Sequence, residues 1–401
     1  MVSAPSLAPA PSSQPDDVSV TALRLGNFRN YMSLDLAVAE GPVVLYGPNG
    51  AGKTNILEAI SLLAPGRGLR RARAALLPHQ PIRQDATTSS PLWSVSAEVM
   101  TADGPISCGT GTMMQDNGDV GRRVIKVNGE FSSQTTLAEH FAVSWMTPDM
   151  DDVLAAAPSE RRRFLDRLVI AFDPAHAGRL QRYEKLYRQR NRLLEEGQSD
   201  ASWYDALETQ MAASGIAIIA ARQALVDALD QEASAPLPMF PSARLFLDGE
   251  AEDWLRTMPA VEVEDRICDL ARRNREAGQS TMPGPMSSVL QVVHSGTGQV
   301  AEMSSTGEQK ALVISVILAH ARLQHTRLRR PPILLLDDIA SHLDGERRQA
   351  LFELTAELRG QVWFSGTDLS PFRTMADNAN VFSIEDGQIA PHNGFAAVRR
   401  S

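Results

Sequence analysis

GPNGAGKT, residues 47–54, is the stretch on which the reading of this chain turns. It fits G-x-x-x-x-G-K-[ST] and stands between a short apolar run, PVVLY at 42–46, and the stretch TNILEAISLLA that starts at Thr54. The apolar run, bounded by turn signals, suits a buried central strand. The stretch after the loop puts Ile56, Leu57, Ile60 and Leu63 on one side of a helix. Strand, glycine loop and helix in that order are the context in which this motif binds phosphate. Glycine lets successive N–H groups approach phosphate oxygens with no Cβ in the way, and the helix N-terminus adds positive potential. Gly47, Pro48, Asn49, Gly50, Ala51 and Gly52 are therefore expected to cradle the phosphates of ATP. Lys53 is expected on the β- and γ-phosphates, and Thr54 on Mg2+.

Four further motifs extend this site. ILLLDD, Ile333 to Asp338, is an apolar run that ends in two carboxylates. Asp337 is expected to hold the Mg2+ shell, and Asp338 to orient or deprotonate the attacking water. SSTGEQK, Ser304 to Lys310, resembles the signature of ABC-type ATPases. There a Ser and a Gly at a helix N-terminus contact the γ-phosphate of a nucleotide held by another subunit. Ser305 and Gly307 match those positions, while Thr306 and Glu308 replace the usual glycine and glutamine. ASHLD, Ala340 to Asp344, resembles the D-loop of the same superfamily. Thr367 or Asp368 stands where many of these ATPases carry a switch histidine, which implies slow hydrolysis. NFRNY, Asn27 to Tyr31, resembles a segment that SMC-like ATPases use near the nucleotide. That resemblance puts Arg29 on phosphate or ribose and Asn30 at the base edge.

The rest of the chain supplies the frame. Residues 19–46 and 91–131 read as β structure, the latter with Asn128-Gly129 as a two-residue hairpin signal. Between Ser159 and Ala277 the pattern is helical, broken by the Pro-rich SAPLPMFPSARLFLDG. Strand and helix patterns then resume. The predicted fold is α/β: a P-loop ABC-type ATPase lobe with an antiparallel β subdomain and an inserted, mainly helical second lobe. The expected divisions are a disordered Pro/Ser/Ala-rich tail over 1–18, the ATPase lobe over 19–150 and 286–401, and the helical lobe over 151–285. Hydrophobic content of 43% supports a real core. The start lacks the pattern of a secretory signal. No run of 18 or more apolar residues is present, so no transmembrane helix is expected. Cys108 and Cys268, far apart and without CxxC spacing, read as free core residues of a cytoplasmic protein. A net charge of −9 argues against nucleic-acid binding by overall charge and leaves local basic surfaces open.

Taken in order, NFRNY, VVLYGPNGAGKTNILEAI, PGRGLR, PSERRRFLDRL, YEKLYRQRNRLL, STGEQKAL and LLLDDIASHLD resemble the RecF family, over about Val20 to Gly387. Asp337 stands 284 residues (337 − 53) after Lys53. A transporter ATP-binding subunit needs far fewer, and an SMC protein needs a long coiled-coil arm there. Those two readings, and a small-molecule P-loop kinase, are the alternatives. The resemblance implies a weak ATPase that pairs head to tail with ATP and binds DNA at gap junctions, single- or double-stranded. It also implies partnership with RecO and RecR in loading RecA. Arginine clusters are the candidate DNA contacts: Arg67, Arg70, Arg71 and Arg73 after the first helix, Arg161, Arg162 and Arg163, then Arg188, Arg190 and Arg192. Phosphate contact by such groups is salt-sensitive and largely sequence-independent.

Overall fold

The computed structural model describes residues 18–79, 91–115, 119–197 and 200–392. Nearly all of the expected N-terminal tail lies outside that range. Val18 is the exception and a correction: it is 2% exposed and bridges Gly360 in parallel.

Two six-stranded sheets carry the ATPase lobe. The antiparallel one runs β2-β1-β4-β5-β6-β7, built from β1 (Ser19–Phe28), β2 (Tyr31–Ala37), β4 (Ser94–Thr101), β5 (Gly104–Gly111), β6 (Val124–Val127) and β7 (Glu130–Ser132). Its strands alternate, as Val95, Ala97 and Val99 of β4 show by being buried. Asn128 and Gly129 take φ of 50° and 84°, the left-handed pair that a tight β6–β7 turn requires. The second sheet runs β14-β13-β3-β12-β11-β8. It comprises β3 (Val43–Tyr46), β8 (Val143–Met146), β11 (Ile333–Leu336), β12 (Val362–Gly366), β13 (Asn380–Glu385) and β14 (Gln388–Pro391). All its pairings are parallel except β13–β14. The unbroken apolar runs of β3 and β11 fit strands covered on both faces. The helix α1 (Lys53–Ser61) packs on this sheet, as does α8 (Thr306–Leu328), whose residues from Gln309 to Ala321 are all buried. The remaining helices of this lobe are α2 (Gln134–Ala138) and α9 (Gly345–Ala356).

The inserted lobe contains α3 (Pro158–Ile170), α4 (His176–Glu195), α5 (Ala201–Ala233), α6 (Glu250–Thr257) and α7 (Ala260–Glu276). It has its own apolar cluster around Tyr183, Met211, Ile218, Trp254 and Ile267. By length and composition alone α5 is apolar enough to cross a membrane, but 56% of its most apolar window is buried in protein. Its side chains fill both cores: Met211 and Ile219 in the lobe, Val226 and Leu229 in the ATPase core. The Pro-rich break holds a strand, β9 (Ala243–Asp248), which pairs antiparallel with β10 (Val289–His294). Leu245, Leu247, Leu290 and Val292 point inward from this ribbon, so it joins residues on both sides of position 286. Alternation is present in both segments, but the pairing is non-local and the neighbouring prolines masked it.

Two of the arginines expected on DNA are buried, which corrects that expectation. Arg190 has no exposed surface; its Nε lies 2.8 Å from Glu208 Oε1, its Nη1 donates to the Ser280 carbonyl at 2.8 Å, and Arg275 pairs with the same Glu208 at 3.0 Å. Arg161 is 6% exposed, ion-paired with Glu302, and donates to the Leu290 carbonyl of β10 at 3.4 Å. A guanidinium enclosed in this way cannot also reach a phosphate in solvent. Removing Arg190 leaves the buried Glu208 with Arg275 as its remaining cation and opens a cavity where the guanidinium was. Arg190→Ala is expected to lower the unfolding free energy by about 3–5 kcal/mol. A denaturant midpoint equal to that of the unaltered chain would show the pair to be idle.

Candidate nucleotide-binding site

The glycine loop leaves the carboxyl end of β3 and closes on α1. Gly47, Gly50 and Gly52 have φ of 151°, 83° and 119°. Gly47 lies against β13, where a Cβ would come 2.0 Å from the Ile384 carbonyl oxygen. Gly52 lies against NFRNY, where a Cβ would meet Asn30 Nδ2 at 2.4 Å and the Tyr31 hydroxyl at 2.5 Å. Pro48, Asn49 and Gly50 form the exposed rim, and Ala51 is buried. Lys53 is largely enclosed, and its Nζ donates to the carbonyls of Gly47 and Pro48 at 2.7 and 2.9 Å. Burial lowers its pKa, an effect that Asp338 and Asp337 oppose.

The two carboxylates arrive from β11, two strands away from β3. The strand between, β12, supplies Ser365, which the sequence reading missed. Its hydroxyl donates to Asp337 Oδ1 at 2.6 Å and accepts from the Asp338 N–H at 2.9 Å. Thr54 Oγ1 reaches the same Asp337 oxygen at 3.0 Å. Burial raises the Asp337 pKa; the hydrogen bonds from Ser365 and Thr54 oppose that rise. Asp338 is a non-glycine residue at φ 53°, a conformation that stores strain. Its Oδ1 is buried without a hydrogen-bond partner, and its Oδ2 lies 3.3 Å from His342 Nε2 of ASHLD. Asn49, Gly50, Gly52, Lys53, Thr54, Asn55, Arg70, Pro148, Asp337, Asp338 and Ser365 together line one pocket. Thr367 and Asp368 are exposed beyond the end of β12, and Asp368 caps the turn at Ser370.

Comparison with known proteins fixes the family. Residues 19–390 match the RecF/RecN/SMC N-terminal domain. The chain is 43% identical over 385 residues to the DNA replication and repair protein RecF of Mesorhizobium japonicum, covering 94% of this chain and 99% of that one. The chain belongs to the RecF family. The RecF proteins of Brucella suis and Rhizobium leguminosarum are 43% and 42% identical, each over 94% of this chain and 97% and 99% of theirs. Among solved structures, the recombination mediator protein RecF-ATPrS in the RecFOR pathway superposes with a TM-score of 0.79 at 23% identity, covering 95% of this chain and all of that one. An Smc head domain from Pyrococcus furiosus, solved with an extended coiled coil and bound to the C-terminal domain of ScpA, gives 0.51 at 16% identity, covering 94% of this chain and 96% of that one. The fold is thus that of RecF and SMC heads, with the antiparallel sheet and helical lobe in place.

Other sequence candidates lie elsewhere in this RecF-family frame. Arg29 is directed away from the pocket: its Nε and Nη2 grip the fully buried Glu58 of α1 at 2.8 and 2.6 Å, and its Nη1 donates to the Leu76 carbonyl at 3.0 Å. Asn30 lies behind the loop, its amide held between Ala51 and Asn55. In this structure both side chains brace the loop and α1. Ser305 caps α8 in a reciprocal capping box with Glu308. Ser305 and Gly307 are exposed, and neither lines the pocket of its own chain. Arg67, Arg71 and Arg73 are exposed, as are Arg163, Arg188 and Arg192. Arg70 turns into the pocket, 2.6 Å from Asn55 Oδ1, and Arg162 donates to the Ser288 carbonyl at 3.2 Å. Pro148 follows β8 without any motif to announce it, and Ser365 is a lone serine in an apolar strand; no local signal singles out either.

The loop geometry separates two glycines. Gly47→Ala meets backbone, whereas Gly50→Ala meets open space and only the left-handed φ. Gly50→Ala is expected to cost about 1–2 kcal/mol, and Gly47→Ala about 1–3 kcal/mol more. Equal unfolding free energies for the two variants would contradict the packing against β13.

Proposed function

We propose that this chain is an ATP-binding, slowly hydrolysing DNA-repair protein whose ATP-bound form is a head-to-tail homodimer. One observation carries the reading. The pocket has a phosphate loop, a lysine and two carboxylates, while the signature pair Ser305 and Gly307 faces solvent on another part of the surface. Each copy thus offers half of a site, and a triphosphate bound to one loop has its γ-phosphate free for the signature helix of a second copy. ATP would then bind the pair more tightly than the single chain, a differential affinity that shifts assembly. The relatives are DNA replication and repair proteins by name, and one solved neighbour is RecF-ATP.

Mg2+ suits the oxygens present. Thr54 Oγ1 and Asp337 Oδ1 would hold it, with phosphate and water completing the shell. When bound it neutralises charge between the β- and γ-phosphates. Asn49, Gly50 and Gly52 present N–H groups, Lys53 supplies a cation, and Ser365 aims the Asp337 carboxylate while holding the Asp338 main chain. Asp338 takes the proton of the water that attacks the γ-phosphate; ADP leaves with the broken bond's electrons. Asp338→Asn is expected to keep ATP bound, cut turnover by about 100-fold or more and prolong the dimer. Normal turnover would remove Asp338 from this role.

Arg67, Arg71 and Arg73 form the exposed basic surface we assign to DNA phosphates, with Arg70 serving the pocket. Arg163, Arg188 and Arg192 remain weaker candidates, since Arg163 and Arg192 pair with Glu160 and Glu196. By family likeness, the chain acts at single-strand gaps in the cytoplasm, with RecO and RecR, to load RecA. Ser305→Arg is expected to leave ATP binding by the monomer intact and to abolish the dimer. Sedimentation with a non-hydrolysable ATP analogue, with and without gapped duplex, tests this. A dimer of unchanged stability in that variant overturns the head-to-tail arrangement.

A further inference from the structure

A directed chain of hydrogen bonds runs from the pocket to the back of the glycine loop. Arg70 Nη1 donates to Asn55 Oδ1 at 2.6 Å. Arginine has donors only, so the oxygen of the Asn55 amide must face it. Asn55 Nδ2 then donates to Asn30 Oδ1 at 2.7 Å. That leaves Asn30 Nδ2 for the Ala51 carbonyl, which it meets at 3.0 Å. The orientation of the Asn30 amide is thus set by chemistry at the far end of the chain.

The same Ala51 oxygen accepts a second bond, from the Gly387 N–H at 3.1 Å. Gly387 sits in the β13–β14 turn at φ 75°, against the Asn30 carbonyl. Two donors on one side therefore hold the Ala51 carbonyl turned to the back of the loop. The peptide joining Ala51 to Gly52 is trans, so its N–H points opposite to its C=O. Gly52 lines the pocket and Ala51 does not. The side of this peptide that carries the N–H is the side that faces the pocket.

We infer that Asn30 and Gly387 are positioning residues: they clamp the Ala51–Gly52 peptide so that the Gly52 N–H is aimed at a phosphate oxygen of the bound nucleotide. This rests on the phosphate-loop reading above and adds a role for a residue of NFRNY and for the C-terminal hairpin. It also accounts for the glycine at 52, since the amide of Asn30 and the hydroxyl of Tyr31 close on its Cα and leave no room for a Cβ.

The test uses the full chain and Asn30→Asp, which keeps the size and shape of the side chain and replaces the donor with an acceptor. Titration with inorganic pyrophosphate and with ATP is expected to show binding weakened about tenfold or more, with a melting curve close to that of the unaltered chain. Glycine-selective 15N labelling adds a readout that a packing role would not move. The Gly52 amide signal shifts on adding pyrophosphate to the unaltered chain and shifts far less in the variant. Affinity within twofold of the unaltered chain, or an equal Gly52 shift, overturns the positioning role while leaving the phosphate-loop reading intact. Should Asn30→Asp fail to fold, Asn55→Ala, which removes the group that orients Asn30 and also releases Arg70 at the pocket, is read through the Gly52 signal alone: the same shift is expected to shrink, and an undiminished shift there overturns the positioning role too. Absence of any pyrophosphate or ATP binding by the unaltered chain overturns both readings.

Discussion

The hydrogen bond from Thr54 to Asp337 joins residues 283 apart in sequence, and the candidate site exists only when it is made. It depends on strand order. β3 and β11 are not neighbours; β12 lies between them, and its Ser365 holds Asp337 in place from below. Thr54 therefore meets a carboxylate that has already been aimed. All three strands must be paired in register before loop, metal ligands and acid face one another. The helical insertion between the two halves of the site is tolerable because loop-closure entropy grows only with the logarithm of length.

Burial works against both signs of charge here. It disfavours the ammonium of Lys53 and the carboxylate of Asp337 alike; Asp338 and Asp337 offset part of the penalty on Lys53, while hydrogen bonds from Ser365 and Thr54 and the charge of Arg70 offset part of that on Asp337. A triphosphate with a divalent cation adds charges of both signs to the same small volume. The Lys53 ammonium, held here by the carbonyls of Gly47 and Pro48, would gain phosphate oxygens as partners, and the unpartnered Oδ1 of Asp338 would gain a water brought in with them. The strained φ of Asp338 belongs to the same pattern, a local cost retained where chemistry is expected.

The helical lobe sorts its arginines by partner. Arg190 and Arg222 are fully enclosed and each grips a carboxylate, Glu208 and Asp166 respectively, so they lock helices together. Arg188 and Arg192, two residues to either side of Arg190 on α4, are exposed. Helical periodicity makes the difference: neighbouring positions in a basic run point to opposite faces, and a cluster that looks uniform in sequence is divided between core and solvent.

Much of the site was legible in the sequence because its chemistry is local. The glycine loop needs left-handed residues at close spacing, and ILLLDD couples a buried strand to two acids in consecutive positions. Those constraints act over a few residues and leave a pattern. Helix starts such as the Ser305 capping box are local in the same sense. What the sequence could not decide is every contact that closes over long distance: Ser365 beneath Asp337, Pro148 at the rim, the β9–β10 ribbon, and the burial of Arg161 and Arg190. The fate of Arg29 and Asn30 belongs to this second group. A motif places them near the loop, but only the packing of α1 and the C-terminal hairpin determines that they brace it from behind, because the direction of a side chain depends on which distant donors and acceptors surround it.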